Sequence, residues 1–266
     1  MSAPDSLEIE VGEGGDARHI AIMKRTGRPP AAVWLGGFHS DMAGTKAEAL
    51  DSWGADAGQA VIRFDYSGHG VSGGDFTDGT VGRWLDEADA VVSRCAEGPP
   101  LLVGSSMGGY LALLLALRLK ARGAPPPAGL VLIAPAIDMT ERLLWAQLPE
   151  EARRQITETG AWQRPSEYDE AGYPITRALI EEGRNHLLFD QPAIEPDCPV
   201  HILHGREDPD VPLAVSLDLV SALVSDDVTL TVVPDGDHRL SRPQDIALLK
   251  RVVGEMVAAH RPSPAS

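Results

Sequence analysis

Residues 101–117 read LLVGSSMGGYLALLLAL, and their reading decides the fold. A short apolar run enters a Gly-Ser-Ser-Met-Gly turn at 104–108, and a longer apolar run leaves it. The first run suits a strand buried on both faces, the second a buried helix. A Gly-x-Ser-x-Gly turn between strand and helix is the setting of a nucleophile elbow. The middle residue, Ser106, then sits in a strained conformation, and the glycines on either side allow close helix–strand packing. The helix N-terminus beneath it adds positive potential where an oxyanion would develop. A glycine turn of another doubly wound fold is the competing interpretation. No Lys-Ser/Thr follows, so a Walker phosphate loop is excluded, and the spacing is not the Gly-x-Gly-x-x-Gly of a dinucleotide site.

Outward from the elbow, short apolar runs alternate with helical patterns. AAVWLGG, AVIRFDYSG, PLLVGSS, GLVLIAP, PVHILHG and VTLTVVPDG read as strands covered on both sides. Helical patterns occupy 45–56, 80–96, 107–122, 212–224 and 243–260. LEIEV and HIAIMKR alternate apolar and polar residues around GEGGDA, as a half-exposed hairpin does. The expected fold class is α/β: a mostly parallel central sheet with an antiparallel N-terminal hairpin and helices on both faces. Residues 136–196 interrupt the rhythm with helical patterns at 140–159 and 174–188. They are expected to form a helical lid inserted within a single domain spanning 1–266.

The chain has 266 residues, 43% of them hydrophobic, which is enough for one sizeable core. With 23 basic and 39 acidic residues the formal net charge is −16. Such a surface repels nucleic-acid phosphates and anionic lipid heads, so neither is an expected partner. No apolar run is long enough to insert into a membrane. The N-terminal stretch MSAPDSLEIEVGEGG lacks the features of a signal peptide or presequence. Two cysteines, Cys95 and Cys198, make no disulfide framework. The expected location is the cytoplasm.

A serine nucleophile needs a base, and on folds of this kind the chain order is Ser, then Asp or Glu, then His. His238 lies in VVPDGDHRL, directly after the last apolar strand and over the sheet edge where ligands bind. His19 sits in the early hairpin, His69 in a glycine loop read as structural or solvated, His186 in the insertion and His260 in the tail. His201 and His204 have a metal-like spacing, but on a strand they point to opposite faces. Asp208, in HILHGREDPDVP, is the favoured acid; Asp138, just after GLVLIAP, is its rival. In LGGFHSDMAG (35–44), His39, Ser40 and Asp41 spell a triad in consecutive positions, yet neighbouring side chains diverge and cannot form one. Ser40 and Asp41 are expected to brace this loop or cap the helix after it. The loop is expected to donate the backbone N–H of Phe38 to an oxyanion hole, with that of Met107 as the second donor.

LGGFHSDMAGTKAE (35–48), IRFDYSGHGVSGG (62–74), VGSSMGG (103–109) and HGREDPDVP (204–212) resemble one group of the α/β-hydrolase superfamily. These are the serine hydrolases related to the mitochondrial palmitoyl-protein thioesterase, the tenth member of the α/β-hydrolase-domain group, which also cleaves acyl glucuronides. The likeness continues through LPEE and GAWQRPSEY to DHRL, and so covers nearly the whole chain. It implies an α/β-hydrolase fold and hydrolysis of acyl thioesters and esters by a triad of Ser106, Asp208 and His238. It implies a small-molecule or acylated-protein substrate and no metal or organic cofactor. The inserted aromatics Trp145, Trp162, Tyr168, Tyr173 and Phe189 suit an apolar acyl pocket or the packing of the insertion onto the body. Arg142, Arg153, Arg154, Arg177 and Arg184 suit either an anionic leaving group or solvent. A peptidase or C–C bond hydrolase on the same triad is the rival chemistry. A silent ligand-binding relative of the fold is the rival class.

Overall fold

A computed structural model describes residues 3–165 and 172–260. The chain opens with an antiparallel hairpin, β1 (Asp5–Val11) and β2 (Arg18–Arg25). Strands and helices then alternate: β3 (Arg28–Leu35), α1 (Thr45–Ala57), β4 (Gln59–Phe64), α2 (Val81–Cys95), β5 (Leu101–Ser105), α3 (Met107–Ala121) and β6 (Gly129–Ile133). A long segment carries α4 (Glu150–Thr159), β7 (Ala161–Arg164), β8 (Tyr173–Thr176) and α5 (Arg177–Gly183). The chain returns to the body with β9 (Val200–Gly205), α6 (Leu213–Ala222), β10 (Val228–Val233) and α7 (Pro243–Ala259).

The main sheet runs β1-β2-β4-β3-β5-β6-β9-β10. Pairing is parallel from β4 to β10, and the hairpin joins β4 antiparallel. The central strands β3, β5 and β6 are largely apolar on both faces, and both faces are covered. Val33 and Leu35 of β3 face the layer of α2 and α3, whereas Ala32 and Trp34 face the layer of α1 and α7. Helix α3 is buried nearly all round from Met107 to Ala116, which explains its lack of a polar stripe. Strand β10 is an edge strand and only half-buried, with Val232 exposed.

The strand order reverses around β3: its loop leads by α1 to β4 on one side, and its other neighbour is β5. A crevice therefore opens between the C-terminal ends of β3 and β5, the place where open α/β sheets bind ligands. The 36–44 loop and Ser106 flank it.

The segment 136–196 departs from the expected pair of helices. Residues 139–144 form a π-helical turn, followed by a short 3₁₀ turn, and Pro149 precedes α4. Gly160 closes α4 at φ 91°, and the chain then forms β7, which pairs with β8 in a two-stranded sheet. Pro174 and the β-branched Ile175 and Thr176 favour that extended run over helix. Helix α5 starts only at Arg177, where Thr176 Oγ1 accepts from Leu179 N at 3.1 Å. Tyr168, expected among the pocket aromatics, lies outside the described residues.

Candidate active site

Ser106 occupies the turn between β5 and α3 at φ 55°, ψ −117°, a conformation rare for a residue with a Cβ. Its N–H donates to Ile133 O at 2.8 Å, and its own carbonyl accepts from Gly109, Tyr110 and Ala136. The turn is thus fixed from both sides by neighbouring backbone. A Cβ on Gly104 would lie 2.2 Å from Gly108 O, and one on Gly108 would lie 2.0 Å from Leu35 O. The elbow exists only because both positions lack that carbon. Gly104→Ala is expected to cost about 3 kcal/mol of stability, read as a lowered urea midpoint with unchanged slope.

His238, in the loop between β10 and α7, brings Nε2 to 3.1 Å from Ser106 Oγ. Its Nδ1 lies 2.7 Å from Asp208 Oδ2. A carboxylate only accepts, so Nδ1 carries the proton and Nε2 is free to accept from Ser106. The Asp208 side chain has no solvent exposure and that of His238 has 20%. Asp208 Oδ1 accepts from the backbone N–H groups of Asp210 and Val211, both at 2.8 Å. Asp138 is elsewhere: it accepts from Leu188 N at 2.7 Å and Phe189 N at 3.1 Å. It ties the inserted segment to the body, and burial raises its carboxyl pKa above the ordinary value. Asp208, Asp210 and His238 bring ligand atoms within 4.8 Å of one another, but both ring nitrogens of His238 are already engaged, by Asp208 and by Ser106.

The 36–44 loop is held by contacts that no short motif announces. Ser40 Oγ donates to Gly37 O and Asp41 accepts from Ala43 N, both at 2.8 Å, so these two side chains brace the loop as expected. Neither caps α1, whose N-cap is Gly44 without a side-chain bond. Among the described residues, the loop and turn hydrogen bonds use the N–H groups of His39, Ser40 and Ser106 but not those of Phe38 or Met107. The Phe38 ring meets Phe76, Trp84 and Tyr173 edge-on at 5.0–5.8 Å, so its side chain anchors the loop. Asp65 accepts from Met42 N at 2.6 Å and Val71 N at 2.9 Å, tying this loop to the glycine loop at 67–74.

His69 is buried in that glycine loop, not solvated. Its Nδ1 donates to Ser67 O at 3.1 Å and its Nε2 accepts from His39 N at 3.2 Å. Burial lowers its pKa to about 4, so the ring stays neutral at ordinary pH. Between pH 6.5 and 4 the unfolded chain takes up a proton that the folded one refuses. Stability from this group is therefore full above pH 6.5 and lost as the pH falls towards 4. Between pH 7 and 4, wild type is expected to lose roughly 3 kcal/mol more unfolding free energy than His69→Gln, measured by urea unfolding at both pH values.

A cavity of about 380 Å³ opens above Ser106 and His238. Ala136, Met139, Leu143, Leu144 and Tyr173 supply an apolar wall from the inserted segment. Lys46, Arg164 and Arg239 supply cationic edges. Lys46 reaches from α1 to the carbonyl of Arg239, next to His238, and burial lowers its pKa to about 8.

The Alpha/beta hydrolase family profile matches residues 26–247. The chain belongs to the α/β hydrolase family. Within that family it is similar to the protein named mitochondrial palmitoyl-protein thioesterase ABHD10. The Bos taurus protein is 36% identical over 245 residues, covering 91% of this chain and 78% of the relative. The Homo sapiens protein is 34% identical over 243 residues, with the same coverage. Among solved structures, a putative hydrolase from Agrobacterium vitis S4 superposes with a TM-score of 0.92 at 47% identity, covering 96% of this chain and all of that one. The mouse α/β hydrolase domain-containing protein 10 gives 0.84 at 33%, with the same coverage.

Several residues of this α/β hydrolase take parts that its sequence leaves open. None of the five inserted arginines singled out lines the cavity. Arg142 pairs with Asp218, Arg154 with Glu151 and Arg184 with Glu141. Arg153 donates to the carbonyls of Trp145 and Ala146, and Arg177 to that of Thr157. Arg164, at the end of β7, lines the cavity instead and lies over Tyr173. Of the inserted aromatics in the described residues, Tyr173 reaches the cavity, while Trp145 and Phe189 pack beneath arginines. The signal that could have found His69 and Asp65 is the stretch IRFDYSGHG (62–70), where a buried strand runs directly into a glycine loop that carries a carboxylate and an imidazole. No helix among the described residues is long and apolar enough to cross a membrane.

Proposed function

We propose that this chain is a serine hydrolase of acyl thioesters and carboxylic esters that works through an acyl-enzyme. The observation that carries the reading is the hydrogen-bonded line from Ser106 Oγ through His238 to Asp208 at the floor of a half-apolar cavity. His238 Nε2 takes the Ser106 proton as Oγ attacks the acyl carbonyl. The backbone N–H groups of Phe38 and Met107 hold the tetrahedral oxyanion. Collapse expels a thiol or alcohol, which receives the proton from His238. Water, deprotonated by the same imidazole, then attacks the acyl-enzyme; the acid leaves and Ser106 regains its proton. Asp208 keeps the imidazole in the required tautomer and stabilises the imidazolium.

Residues 136–196 serve as a lid that supplies the acyl wall, all within one domain. The names of the relatives support a thioester, of a small molecule or of an acylated protein, as the substrate class. Two free, buried cysteines suit a reducing compartment such as the cytoplasm. A chain-length series of acyl thioesters and esters, assayed beside peptide and dione substrates, tests the reading. Hydrolysis of the acyl series with a burst of the leaving group is expected. Turnover of peptides or diones alone would transfer the triad to the rival chemistries, and no turnover or probe labelling at all would favour a silent binding protein.

A further inference from the structure

We infer that His204 is a positioning residue for the acid of the triad: its neutral imidazole clamps the 206–212 loop so that Asp208 faces His238. This inference rests on the proposed catalytic role of Ser106, His238 and Asp208.

His204 stands one residue before the end of β9 and is completely buried. Both ring nitrogens are occupied. Nε2 lies 2.9 Å from the Val211 carbonyl, and Nδ1 lies 2.7 Å from Ser216 Oγ on α6. A carbonyl can only accept, so Nε2 carries the proton, and Nδ1 accepts from the Ser216 hydroxyl. Burial lowers the pKa of the ring, which favours this neutral form. With both nitrogens spent, His204 is no base; it is a rigid strut between strand, loop and helix.

The strut bears on the acid in two ways. First, it fixes Val211, whose N–H, with that of Asp210, grips Asp208 Oδ1. Second, Nε2 itself lies 3.5 Å from Asp208 Oδ2, beyond good hydrogen-bond length, so the N–H that is donated to Val211 O also leaves its positive end near the carboxylate and opposes its rotation. That oxygen is the one receiving the His238 Nδ1 proton. Swinging Asp208 away from His238 therefore requires breaking two backbone bonds and moving its charge away from an N–H dipole.

Gln and Asn separate this role from ordinary packing. Gln at 204 carries an amide near the position of Nε2 and can still donate to Val211 O. Asn reaches only the position of Nδ1 and keeps the Ser216 contact alone. The readouts are the rate of fluorophosphonate labelling and the kcat and KM for an acyl ester, each taken well below the variant's own Tm. His204→Asn is expected to lower labelling and kcat roughly 30-fold with KM within about twofold, while His204→Gln stays within about threefold of wild type. In an Asp208→Asn background the His204→Asn loss is expected to vanish, because the residue acts through that carboxylate. Equal rates for the Gln and Asn variants, whether both high or both low, would overturn the inference, as would a loss that persists without Asp208. A wild-type protein that fails to label overturns the nucleophile assignment itself, whereas labelling with a flat His204 series overturns only the clamp.

Discussion

Ser106→Ala is expected to lower kcat on acyl esters by about 10⁶ and to abolish fluorophosphonate labelling. The size follows from what is lost: the only atom at 3.1 Å from His238 Nε2 in this line is Ser106 Oγ. What remains is the oxyanion site and substrate binding, which alone sustain only a small part of the rate. Folding should be untouched, because the Ser106 side chain caps nothing and the turn is held by backbone bonds to Ile133, Gly109 and Ala136. Far-ultraviolet circular dichroism and the Tm check that the variant is intact. Labelling of the alanine variant at the wild-type rate would sink the nucleophile assignment.

Asp208→Asn carries the second largest expected effect, a loss in kcat of about 10⁴. An amide can turn its NH₂ towards His238 Nδ1, which then becomes the acceptor and moves the ring proton to Nε2. In that tautomer Nε2 cannot take the Ser106 proton. Asp138→Asn is the control, since Asp138 touches neither His238 nor Ser106 but accepts from Leu188 and Phe189. Asn also tolerates the left-handed backbone at 138, φ 53°. Its expected effect is a lowered Tm and less than about a tenfold change in kcat. The reverse ranking, with the greater kcat loss at 138, would exchange the roles of the two acids.

Local pattern carried the body of the fold. The strands around the elbow are apolar on both faces, and glycine or proline marks many of their ends, so period and turn chemistry agree. The inserted segment misled for the opposite reason. Its apolar residues around 174–188 match a helix in part, but Pro174, Ile175 and Thr176 belong to a hairpin that no period-two run announces, and the pairing of β7 with β8 decides it. The arginines there read as candidates for an anion only because their partners Asp218, Glu151 and Glu141 are invisible without contacts.

By itself the sequence determined the strand–turn–helix at Ser106, the alternation of strand and helix, and the loops that carry His238, Asp208 and Asp138, because these depend on neighbours within a few residues. Tertiary structure alone decided which acid meets His238. Asp138 and Asp208 both follow buried strands, and both loops overhang the same sheet edge. The difference is made by where the β10 loop and the backbone at 188–189 pass, at separations of 30 and about 50 residues. The same holds for His69, whose ring accepts from the backbone N–H of His39, 30 residues away.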